Sequence, residues 1–186
     1  MQVVDVDCRP LVRGARAGEP DAWEQLFRRY QLPLYAYVYE LVQQEQPSLD
    51  IVQETFINAV RHLGTLREDG KFGSWLFGIA HQKCAQQWRK QGREGRILES
   101  ADPPPEEESR LADDPSQLLI RAEQEEEFMT LLNRLPAPQR SVLLLHFMEE
   151  FPLEEIAAIT GAPLGTVKSR LHYAKKMLRQ MLEEQT

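Results

Sequence analysis

The residues of this chain that could do chemistry fall into two sets: nucleophiles or metal ligands, and hydrogen-bond donors carried on a helix. The first set is thin: His62, His81, His146, His172, Cys8 and Cys84. His81 and Cys84 stand one helical turn apart and could share a metal ion, but no second Cys or His pair completes a site. Cys84 as a nucleophile would need a base and an oxyanion hole, and the sequence offers neither. No glycine-rich phosphate loop is present. Asp50 and Glu54 share a helix face as a carboxylate pair. With no partner motif they read as an exposed surface for another protein. The expectation is no metal, no cofactor and no catalytic constellation.

The second set is richer, and it lies in Leu153–Leu178. Here the spacing predicts a helix-turn-helix. The first helix covers Leu153–Thr160, the turn is Gly161-Ala162-Pro163, and the second helix runs from Leu164 past Leu178. Ala157 is small where two helices must cross closely. Gly161 can take the left-handed conformation that ends a helix. Pro163 cannot continue the first helix but suits entry to the next. Leu164, Val167, Leu171, Ala174, Leu178 and Met181 alternate at three and four residues and form one apolar stripe. Ser169, His172, Tyr173 and Lys176 fall opposite that stripe, with Thr166 and Lys168 on its shoulders. From Leu164 to Gln180 there are five Lys or Arg residues, Arg170 among them, and no acid. Such donors suit phosphates and base edges, so the pattern points to DNA. An ordinary amphipathic hairpin with a solvated basic face is the plainer alternative.

Composition sets the frame. A chain of 186 residues allows one large domain or two small ones. Two distant cysteines suggest no disulfide framework, and a reducing cytoplasm is the expected location. No apolar run approaches the ~18 residues of a membrane helix. The N-terminal MQVVDVDCRP does not look like a signal peptide. A net charge of −7 fits a DNA binder poorly until its distribution is seen. Glu94–Glu127 holds 12 acids against 3 bases, a local −9, which leaves +2 for the rest of the chain. Local field governs a DNA contact.

The elements that must position these residues read as helices throughout. Leu11–Gly18 is a short helix ended by glycine. Asp21 and Glu24 form a capping box for a helix through Val42, with Pro33 bending or breaking it. Leu26, Phe27, Tyr30, Leu34, Tyr37, Val38 and Leu41 are its apolar face. After a polar loop at Gln43–Pro47, Ser48 caps a helix from Leu49 to Leu63. Its inward stripe is Ile51, Val52, Thr55, Phe56, Ala59, Val60 and Leu63. A third long helix covers Phe72–Gln91, with Phe72, Trp75, Leu76 and Ile79 inward. From Lys83 to Arg93 there are four bases and no acid. Aromatics among bases can stack on unpaired nucleobases and neutralise backbone phosphate; a core role for Trp75 and Trp88 is the alternative. Gly92–Pro115 shows no periodicity, and Pro103–Pro105 with Glu106–Glu108 make it an extended acidic linker. Gln117–Leu132 and Gln139–Glu149 are two further amphipathic helices before the motif. The fold class is all-α: two small helical domains joined by an acidic flexible linker, the C-terminal one a helix-turn-helix.

In order and separation, these pieces resemble the extracytoplasmic-function sigma factors, the smallest class of bacterial RNA polymerase sigma subunits. Asp50-Ile51-Val52-Gln53-Glu54-Thr55-Phe56 is similar to the family's region-two signature. Phe72-Gly73-Ser74-Trp75-Leu76-Phe77-Gly78-Ile79-Ala80 is similar to its promoter-melting helix. Leu135-Pro136 through Gly165-Thr166-Val167-Lys168-Ser169-Arg170-Leu171-His172 is similar to region four. The resemblance implies three parts: region two at 1–91, an acidic linker at 92–115, and region four at 116–186. Asp50, Gln53, Glu54 and Phe56 would meet the clamp of the polymerase core, and region four its flap. Arg67, Lys71, Phe72, Trp75, Gln82, Lys83, Trp88, Arg89 and Lys90 would capture the opened −10 strand. Thr166, Lys168, Ser169, Arg170, His172, Tyr173 and Lys176 would read the −35 element. The linker would thread toward the polymerase active centre, its acids mimicking nucleic acid in a basic channel. The implied partners are core polymerase, promoter DNA and an anti-sigma factor that holds the two modules together. Ala80-His81-Gln82 replaces the family's usual Ala-Arg-Asn, and Tyr173 replaces a basic residue.

Other classes stay open at this point. A free-standing helix-turn-helix regulator would have no need of the Asp50–Phe56 face or the Trp75 helix. An adaptor that has lost DNA binding would not need Lys168, Ser169 and Arg170. An enzyme fits least.

Overall fold

The computed structural model describes residues 7–90 and 125–184, with side chains for 7–88 and 128–184. These residues are helical throughout, without a strand among them. Four helices precede the undescribed stretch: α1 (Arg9–Arg16), α2 (Pro20–Val42), α3 (Glu45–His62) and α4 (Phe72–Lys90). Four follow it: α5 (Glu125–Arg134), α6 (Ala137–Phe147), α7 (Leu153–Thr160) and α8 (Leu164–Glu183). The expected linker, and the expected helix start at Gln117, lie outside the described residues.

Several helix starts differ from the sequence pattern, each for a local reason. Pro20 opens α2, where its missing N–H costs nothing, and Asp21 falls inside the first turn instead of capping it. The helix then runs unbroken through Pro33, which is buried, as are Tyr30, Leu34 and Tyr37 on the same helix. Burial of this stretch of the helix offsets the bond that Pro33 cannot donate. It ends at Gln43, which adopts a left-handed φ of 56° and donates its N–H to the Tyr39 carbonyl. The next helix begins at Glu45, so Ser48 is an interior residue, not a cap. Its hydroxyl donates back to the Gln44 carbonyl at 2.7 Å. In the second half, Pro136 precedes α6 and Pro138 sits in its first turn, so the helix starts two residues early. It stops at Phe147, which leaves Glu149 in a loop. Only the helix-turn-helix has its expected form in full: α7 covers Leu153–Thr160, and Gly161 turns the chain at φ 67°.

Leu26, Tyr30, Leu34, Val38, Phe72, Leu76, Phe77 and Ala80 fill the first core. Leu131, Leu132, Val142, Leu145, Ile156, Val167, Leu171, Ala174 and Leu178 fill the second. The two cores are continuous, because α7 lies directly on α4, the most extensive helix contact among the described residues. Gly78 makes the approach close. A Cβ placed there would stand 3.8 Å from the Ile159 Cα, so an alanine would just touch and a longer side chain would lift α7 away. The glycine weakens its own helix by roughly 1 kcal/mol; its use lies across the crossing.

Candidate nucleic-acid interfaces

Helix α8 presents its donors as the periodicity requires. Val167, Leu171, Ala174 and Leu178 are buried against α6 and α7. Lys168 and Lys176 are exposed, and Thr166, Ser169, Arg170, His172 and Tyr173 are half-buried. The Ser169 hydroxyl donates to the Thr166 carbonyl at 3.0 Å. The His172 and Tyr173 rings meet edge to face at 5.5 Å. From Leu164 to Gln180 this face carries donors in several directions and no carboxylate.

The second cluster surrounds the start of α4. Arg67, Lys71 and Gln82 are exposed and Trp75 is half-buried, all four lining one cleft. Lys83 is half-buried and donates to Glu54 at 2.6 Å, which ties this cluster to the neighbouring face of α3. Phe72 and Trp88 stand in the core instead. Phe72 has no exposed surface and packs on Tyr30 at 5.3 Å. The Trp88 indole N–H donates to the Leu41 carbonyl at 3.2 Å. Neither ring is open to a base in this conformation; both hold α4 in place. The side chains of Arg89 and Lys90 lie outside those described.

On α3, Asp50, Gln53 and Glu54 are exposed, and Asp50 accepts a bond from Gln46. Phe56 is turned inward against Phe27, their rings 4.8 Å apart. The exposed apolar residues beside these acids are Phe27, Leu49, Ile57 and Val60, the last 56% exposed. The sequence reading put Phe27 and Val60 inside. Ile57 broke the inward stripe and was the available sign of an apolar outer face.

The buried polar groups show how the two halves meet. His81 is a core residue. The Tyr37 hydroxyl bonds its Nδ1 at 2.8 Å, and the Trp88 ring meets its edge. Burial, with the charge of Arg170 adding to it, lowers its pKa to about 4, so the ring is neutral at physiological pH. Glu149 is buried in the loop before α7, and its Oε2 has no hydrogen-bond partner. Burial raises its carboxyl to about 7. The Cys84 thiol is raised to about 12 by burial, which keeps it protonated and unreactive. Among the described residues no three His, Cys, Asp or Glu side chains gather as a metal site. No helix there is long and apolar enough to cross a membrane.

Comparison with known proteins follows the same division. Residues 26–94 match the family model for Sigma-70 region 2, and residues 125–178 match that for Sigma-70, region 4. The chain is 30% identical to the ECF RNA polymerase sigma-E factor of Salmonella typhimurium over 178 residues, covering 90% of each protein. It is 28% identical to the RNA polymerase sigma-H factor of Pseudomonas aeruginosa, covering 93% of this chain and 92% of that one. Among solved structures it resembles the sigma factor RpoE of Bartonella quintana, determined in complex with the anti-sigma factor NepR. There the TM-score is 0.64 at 28% identity, over 86% of this chain and 96% of the other. CnrH, solved with the cytosolic domain of CnrY, shares the fold with a TM-score of 0.69 at 23% identity, over 97% and 100% of the two chains.

Proposed function

This chain belongs to the extracytoplasmic-function sigma factors, which bind the RNA polymerase core and direct transcription initiation at promoters, and we propose how its residues divide that work. Residues 1–91 act as region two, 92–115 as the acidic linker and 116–186 as region four. Thr166, Lys168, Ser169, Arg170, His172, Tyr173 and Lys176 read the −35 element. Arg67, Lys71, Trp75, Gln82 and Lys83, with Arg89 and Lys90, take the opened −10 strand, while Phe72 and Trp88 position the helix beneath them. Asp50, Gln53 and Glu54 meet the polymerase clamp together with exposed Ile57 and Val60. Phe56 acts through Phe27 from below, and region four meets the flap.

The face of α8 between Leu164 and Gln180 carries this reading, because it offers side-chain donors suited to phosphates and base edges and holds no carboxylate over that length. The factor has no catalysis of its own and works in the cytoplasm, where polymerase is. An anti-sigma factor is the expected regulator. Two weakly basic modules bind DNA poorly alone; core polymerase supplies the missing affinity by holding both at once.

Run-off transcription with purified core, over a randomised promoter pool, tests the assignment. RNA made only when this protein is added supports it. Core binding without RNA would leave an adaptor, and no core binding would leave a free-standing regulator. Within the −35 face, Lys168→Ala is expected to weaken promoter binding and reduce the salt slope by about one counterion if Lys168 contacts phosphate. If it reads a base, the loss will depend on promoter sequence. Filter binding across a salt series distinguishes the two, and no loss of either kind removes Lys168 from the interface.

A further inference from the structure

Helix α1 supplies none of the contacts assigned above, yet it holds the loop that carries Arg67 and Lys71. That loop joins α3 to α4. Two tight turns, Leu63–Thr65 and Asp69–Lys71, flank Leu66, Arg67 and Glu68. Leu66 and Glu68 are both extended. One guanidinium spans this segment. Arg16, the last residue of α1, donates from Nη2 to the Leu66 carbonyl at 2.7 Å, and its Nη1 stands 3.1 Å from the Asp69 carboxylate. The Asp69 side chain is 20% exposed, so the pair is partly shielded from water. The other end of α1 touches the same loop. The Cys8 thiol donates to the Asp69 carbonyl at 3.7 Å, and the Arg9 stem lies along Gly70. Between the two points that Arg16 holds, Arg67 and Glu68 are exposed.

We propose that Arg16 is a positioning residue for −10 recognition: its two contacts staple the loop at Leu66 and Asp69, and so fix where Arg67 is presented to the opened strand. The proposal rests on the strand-binding role given to Arg67 and Lys71 above. An extended loop segment samples many backbone conformations unless it is tied. Ordering it on DNA would cost affinity for right and wrong sequences alike, so base selection needs groups held in place beforehand. The planar guanidinium suits this task, because its N–H groups leave in fixed directions and reach two acceptors at once. Arg16 is itself engaged by Asp69, and it acts through the loop instead of on the DNA.

Two measurements on Arg16→Lys in the full chain test this, since that variant keeps the charge and loses the fork. The first is amide exchange in the free protein, read by NMR. The Leu66 amide bonds the Leu63 carbonyl at 3.1 Å and the Lys71 amide bonds the Glu68 carbonyl at 2.9 Å, so both report the order of the loop. Both should exchange about tenfold faster than in the parent, the scale of losing one hydrogen bond to a charged group. The Gln43 amide, bonded to the Tyr39 carbonyl after α2, is the control. Unchanged exchange at Leu66 and Lys71, or equal acceleration at Gln43, would overturn the staple. The second measurement is run-off transcription with core over a promoter pool randomised at both elements. Preference among −10 bases should flatten severalfold, while preference among −35 bases stays as in the parent. A −10 preference that is retained, or both elements flattened alike, would show that Arg16 serves stability only and would refute positioning. If the parent itself gives no core-dependent RNA, the strand-capture reading fails, while amide exchange still decides whether Arg16 orders the loop.

Discussion

Glu149→Gln is expected to gain stability relative to the parent as pH rises, by about 3 kcal/mol between roughly pH 4 and pH 8. The carboxyl titrates near 4.5 unfolded and about 7 folded. Between those values the folded chain keeps a proton that the unfolded chain has lost, so parental stability falls as pH rises through the window. Glutamine keeps the shape without titrating, and any fixed cost of its amide cancels in the comparison across pH. His81 has the opposite sign. It titrates near 6.5 unfolded and about 4 folded, so its contribution is complete above pH 6.5 and is lost as pH falls toward 4. In the parent the two slopes oppose each other over the shared range, and the profile is flatter than either. Glu149→Gln should expose the rising His81 slope, and His81→Gln the falling Glu149 slope. Thermal melts at a pH series read this directly, at about 2–4 °C per kcal/mol for a chain of this size. A Glu149→Gln profile parallel to the parent's would show that the carboxyl stays solvated.

Phe77→Ala is expected to destabilise the chain by about 3–5 kcal/mol, the range for removing a fully buried phenylalanine. Phe77 has no exposed surface. Its ring meets Tyr37 at 5.4 Å and Phe151 at 5.2 Å, so it belongs to both cores at once. The variant should therefore also lose coupling. Calorimetry is expected to show one endotherm for the parent and two for the variant, because the cavity opens where the halves join. A loss below about 1 kcal/mol, with a single transition retained, would mean that the ring is not packed there.

Periodicity made the helices legible, and turn chemistry made the helix-turn-helix legible to the residue. Pro152, Gly161 and Pro163 leave few conformations for the segment between α6 and α8. The polar face of α8 followed from the same stripe, since one apolar face defines the other. Caps were less legible. Ser48 is a strong N-cap by type, yet here it bonds back to Gln44 inside a helix that began earlier. The apolar outer face of α3 was missed because Val60 follows Ala59 and looked like part of the buried stripe. The closure of α7 on α4 was not legible at all. A short apolar helix satisfies the hairpin pattern whichever surface its second face covers, and Gly78 reads as a weak helix position until Ile159 stands over it. His81 looked like a departure from a basic family position. Its neutral core role needed Tyr37, which lies 44 residues away in sequence, as well as Trp88 two turns along the same helix face.

Leu41 offers one carbonyl to two donors. The Trp88 indole reaches it from α4 at 3.2 Å, and the Arg140 guanidinium reaches it from α6 at 3.3 Å. The chain thus carries its own spectroscopic gauge of opening. Separation of the halves would withdraw Arg140, and the Trp88 indole proton resonance should shift with its altered acceptor. Trp75, on the wall of the cleft, should move its emission to longer wavelength as water replaces α7. Trp23, packed against Phe72 within the first half at 6.4 Å, should hold steady and serve as the internal reference. With three tryptophans in the whole sequence, each signal can be assigned by single replacement, and a separation of the halves can be followed without a label.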